Sequence, residues 1–296
     1  MLAAGHEVVT RDGDDPYTTE ELTALAPAFD GMVCLLTDRI DAGVLRAGAG
    51  GRLRVVANVA VGFDNIDTAA AGELGIAVRN TPDVLTGTTA DLAFLLILGA
   101  ARLASEAERE LRSGRWAGWG LNDNLGVDVH GALLGVLGYG RIGREVARRA
   151  TGFGMEVLHH SRHDTGLPGY VPTLDDLLQS VDFLSIHVPL TDETRHLIGA
   201  RELSLMKPTA VLVNTARGPV VDEGALVDAL RAGTIFAAGL DVYENEPHVS
   251  ANLLAAPRTM LLPHIGSATA HTRLRMARLA CQGVCDVLSA SGPSGG

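Results

Sequence analysis

Three glycines, Gly138, Gly140 and Gly143, stand between a short apolar run, Leu133 to Leu137, and a helical pattern that continues to Arg149. This stretch, VLGYGRIGREVARR, restricts the fold more than any other part of the chain. A lone G-x-G-x-x-G is a weak signal, but here a strand precedes it, a helix follows it, and a second strand (MEVLHH) completes a βαβ unit. The first glycine permits a tight turn, the second lets backbone approach a pyrophosphate, and the third lets helix and strand pack closely. The helix N-terminus then offers unpaired N–H groups to phosphates.

The surrounding pattern extends the unit. After Gly131 come the strand candidates ALLGVLG, MEVLHHS, VDFLSIHVP, AVLVNTA, AAGLDV and TMLLPHI, with helical stretches between them. About six strands alternating with helices make a doubly wound dinucleotide (Rossmann) fold. Residues 1–80 show a second alternation, with strand candidates HEVV, MVCLL, LRVVANV and IAVRN around helices such as TTEELTALA and DAGVLRAG. Between the two lies the apolar segment Asp83 to Leu103, which should be buried in a core or against another subunit, followed by the loop SGRWAGWG. A last helix is expected from Thr272 to about Ser289, and the small, polar tail SASGPSGG should fray.

Charge and cysteine usage narrow the partners. A formal net charge of −11 without a basic block disfavours nucleic acid and anionic membranes. Cys34, Cys281 and Cys285 give neither a disulfide framework nor a zinc site, and no metal site is read elsewhere; they are expected to be buried free thiols. No basic-then-apolar leader is visible, and the apolar stretch near Leu92 is too short for a membrane span, which points to the cytoplasm.

The end of the second strand bears on the dinucleotide. A carboxylate at that place would bond both ribose hydroxyls of NAD, but the chain reads HHSRHD, with Ser161 and Arg162. A hydroxyl and a guanidinium suit a 2′-phosphate, so NADP(H) is preferred, with NAD(H) as the alternative. His159, His160 and His163 lack the spacing of a zinc site and are expected to be surface or core imidazoles.

Three later strands each lead into a residue that carbonyl reduction can use. Arg217 follows in NTARGPVVDE, Glu246 in GLDVYENEP and His264 in LLPHIGSAT. Singly, each has an ordinary structural explanation. Jointly, they fall at the carboxyl ends of strands, where open α/β sheets bind ligands.

The motifs NVAVGFDNID (58–67), TPDVLTGTTADLAF (81–94), VLGYGRIG (136–143), VPLTDETRHLI (188–198), NTARGPVVDE (214–223), GLDVYENEP (239–247) and LPHIGSA (262–268) cover most of the chain. In this order they resemble the D-isomer-specific 2-hydroxyacid dehydrogenase family, and most of all its glyoxylate/hydroxypyruvate reductase branch. The resemblance implies that His264 is the general acid, Glu246 its carboxylate partner and Arg217 the substrate-carboxylate ligand. A carboxylate beside an imidazole favours the protonated ring, so a proton is at hand near neutral pH. The backbone N–H groups of Val61 and Gly62 are implied to hold the same carboxylate. Implied cofactor contacts are Thr89, Gly138, Gly140, Arg141, Ile142, Gly143, Ser161, Arg162, Pro189, Thr194, Thr215, Ala216, Asp241 and Ser267. The carboxylate at position 246 distinguishes the chain from formate dehydrogenase, a relative without it.

The resemblance further implies a smaller flavodoxin-like substrate domain (1–80 with 272–296), a Rossmann cofactor domain (81–271), and catalysis in the cleft between them. It also implies a homodimer formed through the Asp83–Leu103 segment and the following arm, with Trp119 reaching toward the partner. One departure stands out: the family's first strand and the start of its first helix, which precede MLAAGHEVV, are expected to be missing, leaving neighbouring strands with an open edge. Two rival readings remain at this level. One is an NAD-linked enzyme of the D-3-phosphoglycerate type. The other is a non-catalytic dinucleotide sensor on the same fold.

Overall fold

The computed structural model describes residues 1–11, 13 and 15–290. Contacts divide the chain into two compact units, Met1–Leu85 with Ala268–Gly296, and Thr86–Ser267. The tail beyond residue 290, expected to fray, lies outside the described residues.

In the first unit α1 (Thr19–Leu25) starts at Thr18, whose hydroxyl accepts from the Glu21 N–H at 3.1 Å while the Glu21 carboxylate accepts from the Thr18 N–H at 2.8 Å. This reciprocal cap satisfies two donors that a helix start leaves unpaired. There follow β1 (Gly31–Cys34), α2 (Ala42–Ala49), β2 (Val55–Asn58), α3 (Thr68–Glu73) and β3 (Ala77–Arg79). The three strands are parallel, in the order β1-β2-β3. Every residue of β2 is buried. One face of the sheet packs on Leu22, Val44 and Leu45 of α1 and α2; the other places Val55 and Ala57 against Ala280 and Val284 near the chain's end.

The expected first strand HEVV is not formed. Residues 6–9 pair with no strand, and Val9 is 65% exposed. The alternation of HEVV suits a strand, but a strand needs a neighbour's ladder of N–H and C=O groups. β1 is the edge of its sheet, and among the described residues no strand lies outside it.

The second unit opens with α4 (Thr86–Ala101), which buries Ala90, Ala93, Phe94, Leu96 and Ile97 in the core beneath its sheet. α5 (Ala104–Arg112) leads to an irregular arm whose Trp116, Trp119, Leu121 and Leu125 are exposed. Then come β4 (Leu133–Leu137), α6 (Arg141–Ala150), β5 (Glu156–His160), α7 (Leu174–Ser180), β6 (Phe183–Ile186), α8 (Ala200–Leu205), β7 (Val211–Asn214), α9 (Glu223–Ala232), β8 (Ala237–Leu240), α10 (Ala251–Leu254) and β9 (Thr259–Leu261). α11 (Ala270–Ala290) returns to the first unit.

The six strands expected in this unit all form, parallel, in the order β5-β4-β6-β7-β8-β9. Outside β5 a single parallel bridge adds Tyr170: the His159 N–H donates to Gly169 O and the Val171 N–H to His159 O, both at 2.8 Å. With that bridge the order is 3-2-1-4-5-6 extended by one strand, and the winding reverses between β4 and β6, where such sheets open a ligand crevice. β6, β7 and β8 are buried throughout, with separate apolar clusters on the two faces of the sheet.

Cys34 and Cys285 are buried free thiols, whereas Cys281 is only half-buried on α11. Among the described residues no single helix is long and apolar enough to cross a membrane, and no three His, Cys, Asp or Glu side chains are grouped to hold a metal.

Candidate active site

The glycine loop leaves β4 with Gly138 at φ +94°, and a Cβ there would lie 2.7 Å from the carbonyl carbon of His187. A Cβ on Gly143 would sit 2.3 Å from Gly138 O, so helix α6 can close on the loop only without a side chain at that place. Around Gly140 the reverse holds: a Cβ would meet nothing within 4 Å. No side chain caps α6, whose first helical residues are Arg141 and Ile142. Open space beside an uncapped helix N-terminus is what a pyrophosphate requires.

Ser161, just past β5, is tied to this loop, its Oγ accepting from the Tyr139 N–H at 3.0 Å. Arg162 beside it is exposed. His159 is fully buried, its ring stacked on Tyr139 with centroids 3.8 Å apart. Burial, and then the charge of Arg144, hold His159 below the ordinary imidazole value. Arg144 reaches back from α6, its Nε donating to Tyr139 O at 3.1 Å. Further along, Thr194 Oγ1 donates to Pro189 O at 2.7 Å and shapes the turn after β6.

At the end of β7 the buried Asn214 side chain fixes the next turn. Its Nδ2 donates to Arg217 O and its Oδ1 accepts from the Ala216 N–H, each at 2.9 Å. The Thr215 hydroxyl is buried and has no hydrogen-bond partner among the described residues. A Cβ on Gly218 would fall 1.8 Å from the carbonyl carbon of Tyr243. The Arg217 loop and the loop after β8 therefore pack backbone against backbone.

Glu246 stands on that second loop. Its Oε1 accepts from the Tyr243 N–H at 3.0 Å, and its Oε2 accepts from His264 Nδ1 at 2.7 Å. Burial pushes the Glu246 carboxyl up, but the His264 hydrogen bond and charge, the Tyr243 N–H and the Arg217 charge outweigh it and hold it below the usual carboxylate value. His264 Nε2 has no partner among the described residues. His264 has φ +53°, left-handed backbone that non-glycine residues adopt mainly where surroundings impose it.

Asp241, 1% exposed, supplies that constraint. Its Oδ1 accepts from the Ile265 N–H at 2.8 Å and its Oδ2 from the Gly266 N–H at 2.7 Å. Thr89 on α4 donates to Gly266 O at 3.2 Å, and Ser267 follows on the same loop. Asp241 and Thr89, read from sequence as cofactor contacts, thus also anchor the loop that carries His264. Burial raises the Asp241 carboxyl, and the two N–H groups partly offset it.

In the first unit, Val61 and Gly62 lie in the loop after β2. Asn80 Nδ2 donates to Val61 O and Asn58 Nδ2 to Gly62 O, each at 2.8 Å. The N–H groups of Val61 and Gly62 have no acceptor among the described residues.

The sequence reading missed Asn58, Asn80, Asn214, Arg144 and Glu223. Glu223 is buried at the start of α9 and accepts from the Glu244 N–H at 2.6 Å. A signal existed for the asparagines: VVAN and VLVN each end a buried strand in an amide, and AVRN places one directly after β3, where it can cap the loop that follows.

A parallel sheet with an open glycine loop at its switch point, and an acid–imidazole pair past the same strand ends, defines a dinucleotide-binding oxidoreductase. A family model described as "D-isomer specific 2-hydroxyacid dehydrogenase, NAD binding domain" matches residues 94–266. A glyoxylate reductase of Aeropyrum pernix is 49% identical over 292 residues, covering 95% of this chain and 87% of that protein. The crystal structure of the TT0316 protein from Thermus thermophilus is 43% identical, with TM-score 0.87, over 94% of this chain and 89% of that one. An NADPH-dependent glyoxylate/hydroxypyruvate reductase from Sinorhizobium meliloti, solved with NADP and malonate, is 39% identical with TM-score 0.81, over 94% of this chain and 84% of that one. The chain belongs to the D-isomer-specific 2-hydroxyacid dehydrogenase family. It is accordingly a dehydrogenase of small 2-keto and 2-hydroxy acids with a nicotinamide dinucleotide as cofactor. The residues present fit that group: the cradle at Gly140 is open, α6 has no side-chain cap, and the Thr215 hydroxyl has no partner among the described residues.

Proposed function

We propose that the chain reduces a small 2-keto acid of the glyoxylate or hydroxypyruvate type to the D-2-hydroxy acid, with NADPH preferred over NADH. The observation that carries the reading is the Glu246–His264 pair, joined through Nδ1 at 2.7 Å with Nε2 left for a substrate. When bound, the reduced nicotinamide supplies a hydride to the keto carbon. His264 gives the keto oxygen its proton from Nε2, and Glu246 stabilises the imidazolium that precedes that transfer. Arg217 holds the substrate carboxylate with its planar fork and polarises the neighbouring carbonyl. The N–H groups of Val61 and Gly62 are further donors to that carboxylate.

For the cofactor, Gly138, Gly140, Arg141, Ile142 and Gly143 cradle the pyrophosphate, and Ser161 and Arg162 take the 2′-phosphate. Pro189, Thr194, Thr215 and Ala216 line the groove, and Thr89, Asp241 and Ser267 serve its nicotinamide end. The Ser161 Oγ accepts from Tyr139, which leaves its own O–H to donate to a phosphate oxygen. No carboxylate stands at the end of β5 to repel one. The unit Met1–Leu85 with α11 binds substrate and Thr86–Ser267 binds cofactor. The chain works as a cytoplasmic homodimer, a reading supported by three free thiols and by the exposed Trp116, Trp119, Leu121 and Leu125 of the arm.

Initial rates of NADPH and NADH oxidation with glyoxylate and hydroxypyruvate test this. NADPH should be the better substrate, Arg162→Ala should weaken its use selectively, and His264→Ala should lower kcat by about 10²–10⁴-fold. Binding of either dinucleotide without turnover by the wild type would sink the reading in favour of a sensor.

A further inference from the structure

The loop after β2 has an unusual hydrogen-bond pattern. Three consecutive carbonyls are all engaged: Ala60 O by the Thr81 N–H, Val61 O by Asn80 Nδ2 and Gly62 O by Asn58 Nδ2, each at 2.8 Å. The N–H groups of Val61 and Gly62 have no acceptor among the described residues. In a trans peptide the C=O and N–H of one plane point in opposite directions. Holding Val61 O therefore aims the Gly62 N–H away from Asn80, and the Thr81 N–H does the same for Val61 through Ala60 O. Asn58 pins the next plane. Both peptide planes flanking Gly62 are thus each held by a side-chain amide, at the residue type that otherwise has the most backbone freedom.

The Asn58 amide is itself oriented. It is fully buried, its Oδ1 accepts from the Cys34 thiol at 3.6 Å, and its Nδ2 also donates to Asn65 Oδ1 at 2.8 Å. Asn65 in turn donates to Leu35 O at 3.1 Å and Asp38 O at 2.9 Å. Burial pushes the Cys34 thiol up to about 12, so it remains a donor across the working pH range. Oxygen toward a donor and nitrogen toward two acceptors leaves the amide one orientation.

We propose that Asn58 and Asn80 are positioning residues of the reaction, clamping the carbonyls of Gly62 and Val61 so that the N–H groups of the loop stand ready as donors to a substrate carboxylate. The inference rests on the reading that Val61 and Gly62 bind that carboxylate. Neither asparagine touches the reacting atoms. Their effect belongs on substrate affinity and not on the chemical step.

Asn80→Ala, Asn58→Ala and Asn58→Asp test it, with thermal melting to establish that each variant is folded. Asn58→Asp keeps the shape but presents oxygen to two acceptors. Asn80 is only half-buried, so Asn80→Ala preserves the test should the buried Asn58 variants not fold. The KM for glyoxylate should rise tenfold or more, with kcat within twofold and the KM for NADPH unchanged. Calorimetric binding of oxalate to the protein with NADPH should weaken by the same factor. Loss of stability alone would not divide KM from kcat in this way. Wild-type turnover of glyoxylate with an unchanged KM in Asn80→Ala and in every folded Asn58 variant overturns this proposal and leaves the functional reading standing. Absent wild-type turnover overturns the functional reading; oxalate affinity then decides the positioning role, equal binding by wild type and Asn80→Ala, or none by either, ruling against it.

Discussion

Glu246 and His264 show how much one carboxylate contributes by placement. Both oxygens of Glu246 are committed, one to the Tyr243 N–H and one to His264 Nδ1. Glu246→Gln keeps the volume but removes the charge that stabilises imidazolium, and kcat should fall by about 10–10²-fold with KM little changed. Its folded carboxyl is held below the ordinary 4.5. A depressed carboxyl contributes stability that is present above its unfolded value and is lost as pH falls through the folded one. Chemical denaturation across the range below pH 4.5 should therefore show the wild type losing more stability than Glu246→Gln as acid is added. Arg217→Lys replaces a planar fork by a point charge. It should raise the keto-acid KM by about tenfold or more, read from initial rates at saturating NADPH. The types of these three residues and their place after successive strands were legible in the sequence. That Asp241 secures the backbone of the His264 loop was not, because bonds from a side chain to a loop in another part of the chain leave no periodic trace.

Elements were easiest to read where burial and periodicity agreed. β6, β7 and β8 are apolar on both faces, and the amphipathic helices between them alternate cleanly, so all six strands of the second unit were found. HEVV had the right alternation and no partner, since pairing is a property of two strands and periodicity of one. The third position of the sheet was missed for the opposite reason, because Gly169–Val171 makes a single bridge and has no run to detect. The close approach of Gly218 to Tyr243 was likewise invisible to a local pattern. Gly218→Ala would force apart two backbones that carry Arg217 and Glu246. It should cost at least about 2 kcal/mol and lower Tm by roughly 4–8 °C in calorimetry, with activity falling further than stability.

For the whole molecule, order along the chain was clear and assembly was not. The two alternating segments correspond to two parallel sheets, and the chain crosses between the units near Leu85 and again near Ala268. A subunit interface, by contrast, is written only as apolar surface without a neighbour. Trp119 is 83% exposed in an arm with no helix or strand of its own. If the arm forms the proposed homodimer interface, the double variant Trp116→Ser with Leu121→Ser should sediment as a monomer where the wild type sediments as a dimer; a monomeric wild type would remove that role from the arm. Within the sheet of the second unit the proposed chemistry lies almost wholly on one rim, in the loops that follow strands and the first turn of α6; Thr89 lies apart from these, on α4. The opposite rim, at Thr151–Gly154 and Gly233–Thr234, carries none of it. A loop spliced in before a strand of this sheet should leave turnover standing, whereas one of equal length spliced in after a strand should abolish it.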